Sequence, residues 1–545
     1  MNAGSLTAQL PMLPVAIPLL TGAILVLLGR RASAAAGPIG FAALLALLAC
    51  AGALCARTAD GSVLAYLAGN WPAPFGIALA VDRLGAAMLL VTSVVAIACQ
   101  LAAADGLAQR RPRFFALLQF QVTGLNGAFL TADLFNLFVF FEVLLIASYA
   151  LLLLADDRAA VRAGVHYVVV NLFGSALFLM AAALLYGVLG TLNMADLALR
   201  VASVAPADRA LVEAAGLMLL VAFGIKAAAL PLGFWLPATY GAATAPVAAL
   251  FTVMTKVGIY AILRVGTLVF GGTAAGLGPL LVAVGLATLG FAAFAGLAAR
   301  DLRSLAAWMI AGSAGTLLTL VGVGTPASLG AALFYLPHAT FAAAALMLLA
   351  GLLTAARGPG LADRFEAGAR PAGAVLLGTV FVICSVASAG LPPFSGFVAK
   401  VILLDSVATA PAAVAVWTVV LAASLAWVVA LSRAGSRVFW KSATNADGSP
   451  GADPAAPRRG RDGALAEARH DPQHGTLSAV VLLAAAGVLI VVFATPLAAH
   501  FGRAGLQLAA PDDYREAVLG QVPVRRLVVE DGAVVAPSAM SGERR

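Results

Sequence analysis

The chain has 545 residues, of which 62% are hydrophobic and 11% charged, and its mean hydropathy is +1.00. These values exclude a soluble globular protein and fit the polytopic membrane class. The net charge of +8 gives no support to nucleic acid as a partner, because most basic residues fall in short loops between apolar runs, where they set topology.

Apolar runs long enough to span a bilayer, about 20 residues each, occur near 8–29, 37–56, 84–104, 114–131, 134–155, 164–190 and 211–238. Further runs lie near 245–270, 276–299, 304–323, 328–354, 373–404, 412–432 and 476–499. The predicted fold is therefore all-α and polytopic, with about fourteen transmembrane helices. The first run lacks a basic leader and is followed by Arg30 and Arg31, so it reads as an uncleaved span with its N-terminus outside. Loops then assigned to the cytoplasm hold Arg110, Arg111, Arg113, Arg158, Arg162, Arg300, Arg303, Arg357, Arg364 and Arg370. The short outer loops hold only Arg57, Arg83, Arg200 and Arg209, as the positive-inside rule requires.

The chain divides into an N-terminal three-helix segment (1–110), two five-helix units (111–272 and 273–435), a loop (436–475), a last transmembrane helix (476–500) and a polar tail (501–545). An odd number of spans per unit gives consecutive units opposite orientations, which is an inverted repeat. The fourth span of each unit carries a Pro/Gly interruption, ALPLGFWLP in the seventh span and GLPPFSGF (Gly390 to Phe397) in the twelfth, so both helices are expected to be broken. The loop from Lys441 to about Gly475 is rich in Gly, Pro, Ala and charge and is predicted to be disordered and cytoplasmic. In the tail, VPVRRLVVEDGAVV reads as a short strand or docking segment.

The chain uses 29 arginines and only four lysines, yet Lys226, Lys256 and Lys400 lie within or beside apolar spans. A charge at mid-membrane costs a few kcal/mol, so such residues are functional candidates. A desolvated lysine can release its proton near neutral pH, whereas arginine cannot. Glu142 is the one carboxylate well inside a span. Opposite a lysine at about 4 Å, it would be attracted by roughly 4 kcal/mol at an effective dielectric near 20. Pro231, Gly233 and Pro237 follow Lys226 closely and supply a hinge. Lys256 has no break near it and reads as the next station along a row. His338 is either a proton relay or a hydrogen-bonded core residue, with Pro337 leaving a carbonyl free beside it. His166, at a span start, reads as interfacial. Lys400 follows the second break. Glu142, Lys226, Lys256, His338 and Lys400 thus give one titratable group in each of five spans, which suits a hydrated polar path along the membrane plane.

No span offers haem, flavin or iron–sulfur ligands, so no cofactor is expected, and Cys50, Cys55, Cys99 and Cys384 read as packing residues. Hard cations want several oxygen ligands. No such cluster is apparent, and Asp133 at a span boundary is the candidate for that role.

The segments DLFNLFVFFEVLLIASYALL, GIKAAALPLGFWLPATYGAATAPVAALFTVMTKVGIYAILR and SAGLPPFSGFVAK resemble the D subunit of the multisubunit Mrp-type monovalent cation/proton antiporters. The resemblance covers roughly residues 80 to 435, and PDDYREAVLG in the tail is similar to that subunit's ending. It implies a fourteen-helix fold shared with membrane subunits of respiratory complex I and membrane-bound hydrogenases, and a multi-pass place in the bacterial inner membrane. It further implies that Glu142 and Lys226 form a coupled pair, that Lys256 and His338 connect the relay, and that Lys400 ends it. Complex I relatives typically carry histidines and an acidic residue around the WLP element, and the M-type subunit of complex I usually ends its relay in glutamate. Here WLPATYGAATAP has neither and Lys400 takes the last place, which favours the antiporter subunit. After Phe341 only alanines follow where many relatives carry a further lysine, which leaves water to carry the relay there.

Three functions compete at this point: a subunit exchanging a monovalent cation, with Na+ the first expectation, for protons; a proton-translocating subunit of a complex I or hydrogenase type enzyme; and a passive scaffold. The scaffold leaves three lysines at lipid depth without a reason. In either transport reading the partners are other subunits of the complex, protons, monovalent cations and membrane lipid.

Overall fold

A computed structural model gives the structure over residues 9–29, 33–271, 277–368, 371, 373–440, 473–521, 528–530 and 533–535. Among the described residues, eleven helices are long and apolar enough to cross a bilayer, and two shorter apolar helices, Phe114–Leu130 and Ala374–Ala389, accompany them. Each apolar run read from the sequence holds a helix or an interrupted pair of helices. Helix starts are set by short polar side chains: Asp82, Asp133, Asp157, Asp301 and Thr325 each accept a backbone N–H three residues on.

The helix pair Ala245–Phe251 and Met254–Leu268 runs through the centre of the molecule and is buried along its length. The helices Arg83–Ala103, Leu302–Val323 and Pro326–Leu361 are also largely buried. Outer helices present Leu27, Phe294 and Leu425 outward, as lipid-facing surfaces do.

Both expected helix breaks are present. Arg209–Lys226 stops at Lys226 and the chain resumes as Trp235–Ala242; Ala374–Ala389 stops before Gly390 and resumes as Ser395–Ser406. Inside the first break the Leu230 N–H finds an acceptor in Thr288 Oγ1 at 3.0 Å. A third break corrects the sequence reading, which saw none near Lys256: the helix is interrupted at Thr252 and Val253. No Pro or Gly marks it. The Thr252 hydroxyl donates back to Ala249 O at 2.7 Å, and the Tyr240 hydroxyl from another element donates to Phe251 O at 2.6 Å.

Beyond residue 500, expected to be a polar tail, the chain continues in the helices Ala494–Ala509 and Asp512–Leu519. The first packs on the opening turns of Pro326–Leu361, and the second sets the Tyr514 ring 4.7 Å from the Arg264 guanidinium. Arg264 forms a buried ion pair with Asp82 at 2.7 Å, which nothing local in the sequence signals. The strands Val528–Glu530 and Ala533–Val535 pair as an antiparallel hairpin within the segment read as strand-forming. A second hairpin pairs Leu64–Leu67 with Ala78–Val81. The segment predicted as a disordered loop lies, for residues 441–472, outside the described residues. Where the chain resumes, Asp105 accepts the backbone N–H groups of Gly475 and Thr476 and so fixes the start of His474–Val492.

Candidate proton-relay site

Glu142 lies on Leu134–Leu152 between Val139 and Ile146, both exposed, and is itself half-buried. Lys226 is the last residue of its helix and is buried, as are Lys256 and His338; Lys400 is half-buried. Ending a helix on Lys226 places its ammonium where the ladder of backbone bonds has stopped, so the side chain is free to reach sideways.

Glu142 and Lys226 do not form a direct ion pair. They meet through the helix Arg158–Leu189, which passes between them. Lys226 Nζ donates to Asn171 Oδ1 at 3.1 Å and approaches Asn171 O at 3.5 Å, and Ser175 Oγ donates to Glu142 Oε1. Asn171 and Ser175 are four residues apart, one helical turn, and therefore share a face. The Phe141 ring, centred 6.0 Å from Lys226 Nζ, covers the ammonium.

From Lys226 the site runs on to the central helix. A cavity of about 10 Å³ is lined by Asn171, Lys226, Trp235, Met254 and Val257. Gly258 lies directly against the backbone of Lys226 and Ala227, where a Cβ would collide, so the two helices touch just beyond Lys256. Lys256 Nζ donates to Ser313 Oγ at 2.6 Å. Ser313 lines a cavity of about 40 Å³ together with Thr316, Tyr335, His338, Ser388, Lys400 and Ser424. That volume admits water, which needs roughly 10–15 Å³ for a molecule and polar partners around it. The buried Ser388 hydroxyl has no protein partner and is available to such water. Ala342 and Ala343 line the same cavity, so the alanines noted in the sequence face the space between Ser313 and Lys400.

His338 Nδ1 bonds Ser395 Oγ at 2.9 Å, and a second cavity of about 30 Å³ lies on that side of the ring. Lys400 Nζ donates to Ala389 O at 2.5 Å and to Ser424 Oγ at 2.7 Å. The structure therefore places His338 and Lys400 on one cavity that Lys256 reaches through Ser313, and holds Glu142 and Lys226 on one face of the helix Arg158–Leu189 through Ser175 and Asn171. Asp133 is used otherwise: its carboxylate caps Leu134–Leu152 by accepting the Asn136 N–H at 2.7 Å. Among the described residues no three His, Cys, Asp or Glu side chains lie close enough to hold a metal ion.

Asn171, Ser175, Ser313, Ser395 and Ser424 were not singled out from the sequence. Only Asn171, an amide deep in an apolar run, carried a usable signal; serine in a spanning helix ordinarily bonds its own backbone, as Ser313 also does to Ile310 O at 2.7 Å.

Residues 131–426 match the family described as NADH:quinone oxidoreductase/Mrp antiporter, transmembrane. The chain is 43% identical over 470 residues to the probable D subunit of a K(+)/H(+) antiporter of Rhizobium meliloti, covering 80% of this chain and 87% of that one. It is 36% identical over 404 residues to the D subunit of the Na(+)/H(+) antiporter of Bacillus subtilis, covering 71% and 78%. Among solved structures, a chain of the Mrp complex from a Dietzia species superposes with TM-score 0.82 at 30% identity, over 94% of this chain and 100% of that one. A chain of respiratory complex I from Thermus thermophilus shares the fold, with TM-score 0.73 at 24% identity over 94% and 100%.

Proposed function

The chain belongs to the D-type antiporter subunits of the NADH:quinone oxidoreductase/Mrp antiporter family of membrane proteins, and we propose that it carries protons through Glu142, Lys226, Lys256, His338 and Lys400. In this reading it works in a bacterial inner membrane as one subunit of a multisubunit complex exchanging a monovalent cation for protons. The observation that carries the proposal is that Ser175 and Asn171, one turn apart on a single helix, bond Glu142 and Lys226 respectively, which brings an acid and a base to one helix face. Drawing the two apart weakens the attraction that keeps both charged, and the break after Lys226 allows such movement. The proton then passes by way of Lys256, Ser313 and cavity water to His338 and Lys400.

Partner subunits are supported by the half-buried Glu142, since a carboxylate facing lipid is costly whereas one facing another chain is not. The identity to proteins named as antiporter subunits, 43% and 36%, exceeds the 24% to the complex I chain and favours the antiporter over the respiratory reading.

We also propose fourteen membrane crossings and two inverted five-helix units. Corresponding contacts support the repeat: Leu134, opening the second helix of one unit, donates its N–H to Leu192 O after the third, and Leu302 donates likewise to Asp363 O in the other. Asp133 bridges Asn193 as Asp301 bridges Arg364.

The test is cation-dependent collapse of ΔpH in everted vesicles, with Na+ and K+ compared, for this chain alone and with its partner subunits. Exchange is expected only with the partners and is expected to fall about 100-fold in Glu142→Gln. Robust exchange by the single chain in liposomes contradicts the complex, and normal exchange in Glu142→Gln contradicts the relay.

A further inference from the structure

Two helix breaks lie beside Lys226 and Lys256, and both are held by one short element, the helix Trp235–Ala242. At its start the Trp235 indole N–H donates to Ile225 O at 3.0 Å, a carbonyl shared with the Ala228 N–H at 3.1 Å and belonging to the peptide that leads into Lys226. Five residues on, the Tyr240 hydroxyl donates to Phe251 O at 2.6 Å, the last carbonyl before the break that precedes Lys256. Carbonyls at a helix end lack their intrahelical partner, and buried ones need another. Here one helix supplies a second donor to Ile225 O at the first break and the side-chain donor to Phe251 O at the other.

The element is stiff. Trp235 and Tyr240 are fully buried, their rings lie 6.1 Å apart edge to face, and Trp235 is stacked on Tyr167 at 5.0 Å. Tyr167 in turn shares a hydrogen bond of 2.9 Å with Ser148, on the helix that carries Glu142, and stands one turn before Asn171. Gly258 against the Lys226 backbone closes the loop from the other side. Moving the Lys226 peptide therefore pulls on Trp235, and Trp235 moves with Tyr240 and the carbonyl of Phe251.

We propose that Trp235–Ala242 is a coupling lever, with Trp235 and Tyr240 as positioning residues that make the break at Lys226 and the break before Lys256 change together. The inference rests on Lys226 and Lys256 acting in the relay. Neither aromatic residue carries a proton in it; each fixes where a lysine stands relative to its next partner.

The test uses the complete complex in everted vesicles, with turnover and cation KM measured per unit of assembled protein for Trp235→Phe, Tyr240→Phe and the double variant. At Tyr240 phenylalanine keeps the ring and removes only the donor; at Trp235 it removes the donor together with part of the buried indole, so Tyr240→Phe is the cleaner of the two. Each single variant is expected to lower turnover about tenfold with cation KM unchanged, the scale of one buried hydrogen bond at a moving joint. The double variant is expected to be no slower than the slower single one, because releasing either end uncouples the lever. Unchanged turnover, or losses that multiply to about 100-fold in the double variant as independent bonds would, overturns the inference. If Trp235→Phe does not assemble, Tyr240→Phe alone decides; if that also fails to assemble, the hydroxyl holds the fold and the lever is rejected. Lys226→Ala serves as the reference: inactive Lys226→Ala with normal Tyr240→Phe rejects the lever alone, whereas active Lys226→Ala rejects the relay beneath it.

Discussion

At the first break the helix ends on a lysine whose ammonium turns sideways to Asn171, while a neighbouring carbonyl is taken by the Trp235 indole. At the second break the helix ends on Ala389, and Lys400 from the resuming helix bonds the Ala389 carbonyl itself. A cation at a helix C-terminus is favoured by the helix dipole. Lys400 thus has a charge-stabilising site built from backbone and needs no acid, whereas Lys226 faces an amide and, beyond it, Glu142. The first region is arranged to couple a base to an acid, and the second to hold a proton at the end of a helix. Gly390 shows how close the second arrangement is: its φ is +78°, and a Cβ there would meet the Lys400 side chain. The two fifth helices differ in the same sense. Lys256 stands eleven residues into the span that opens at Ala245, and Ser424 eleven into the one that opens at Ala413, where it accepts from Lys400.

The most severe challenge to this contrast is to remove the acid. Glu142→Gln is expected to lower exchange about 100-fold, the scale of losing a positioned proton-transfer group, with normal protein in the membrane by immunoblot. Exchange near wild type would mean that the first region needs no acid and resembles the second. Next in size, Asn171→Leu removes the amide between acid and base, leaving Lys226 without its side-chain partner. A loss of about tenfold is expected from one charge-assisted bond, measured as initial rates of ΔpH collapse, while Asn171→Asp retains more activity than Asn171→Leu. In the second region Gly390→Ala displaces Lys400 and is expected to lower exchange about as much without affecting assembly. Smaller still, Ser424→Ala leaves Lys400 on the Ala389 carbonyl and is expected to cost about 1 kcal/mol or less, read as a change in rate of a few-fold. Replacing residues 442–472 by a short Gly/Ser linker, which stops short of the helix start that Asp105 fixes, is expected to leave exchange intact in the same assay.

Much of this contrast was legible in the sequence for a simple physical reason. Lys226, Lys256, Lys400 and Glu142 are costly in apolar runs, and Pro231 or Pro392 and Pro393 cannot continue a helix, so both signals survive without tertiary information. The bridge between acid and base was not legible. Ser175 and Ser313 resemble any serine in a membrane helix until the neighbouring helix is in place. The break at Thr252 and Val253 was hidden for a related reason: what stabilises it, the Tyr240 hydroxyl, comes from another element. The helices after residue 500 were missed because the apolar face of Ala494–Ala509 is diluted by His500, Arg503 and Gln507, and only packing on Pro326–Leu361 brings it out. The buried pair Asp82 and Arg264 joins residues far apart in sequence, with nothing local to connect them.

The measurement that bears most closely on the relay is exchange by Lys226→Arg in the complete complex, normalised to inserted protein. Arginine keeps the positive charge and can donate to Asn171 but does not give up a proton. A relay through Lys226 requires that cation-dependent ΔpH collapse be lost while the complex assembles normally; exchange close to wild type would show that Lys226 is needed for its charge alone and that the proton takes another path.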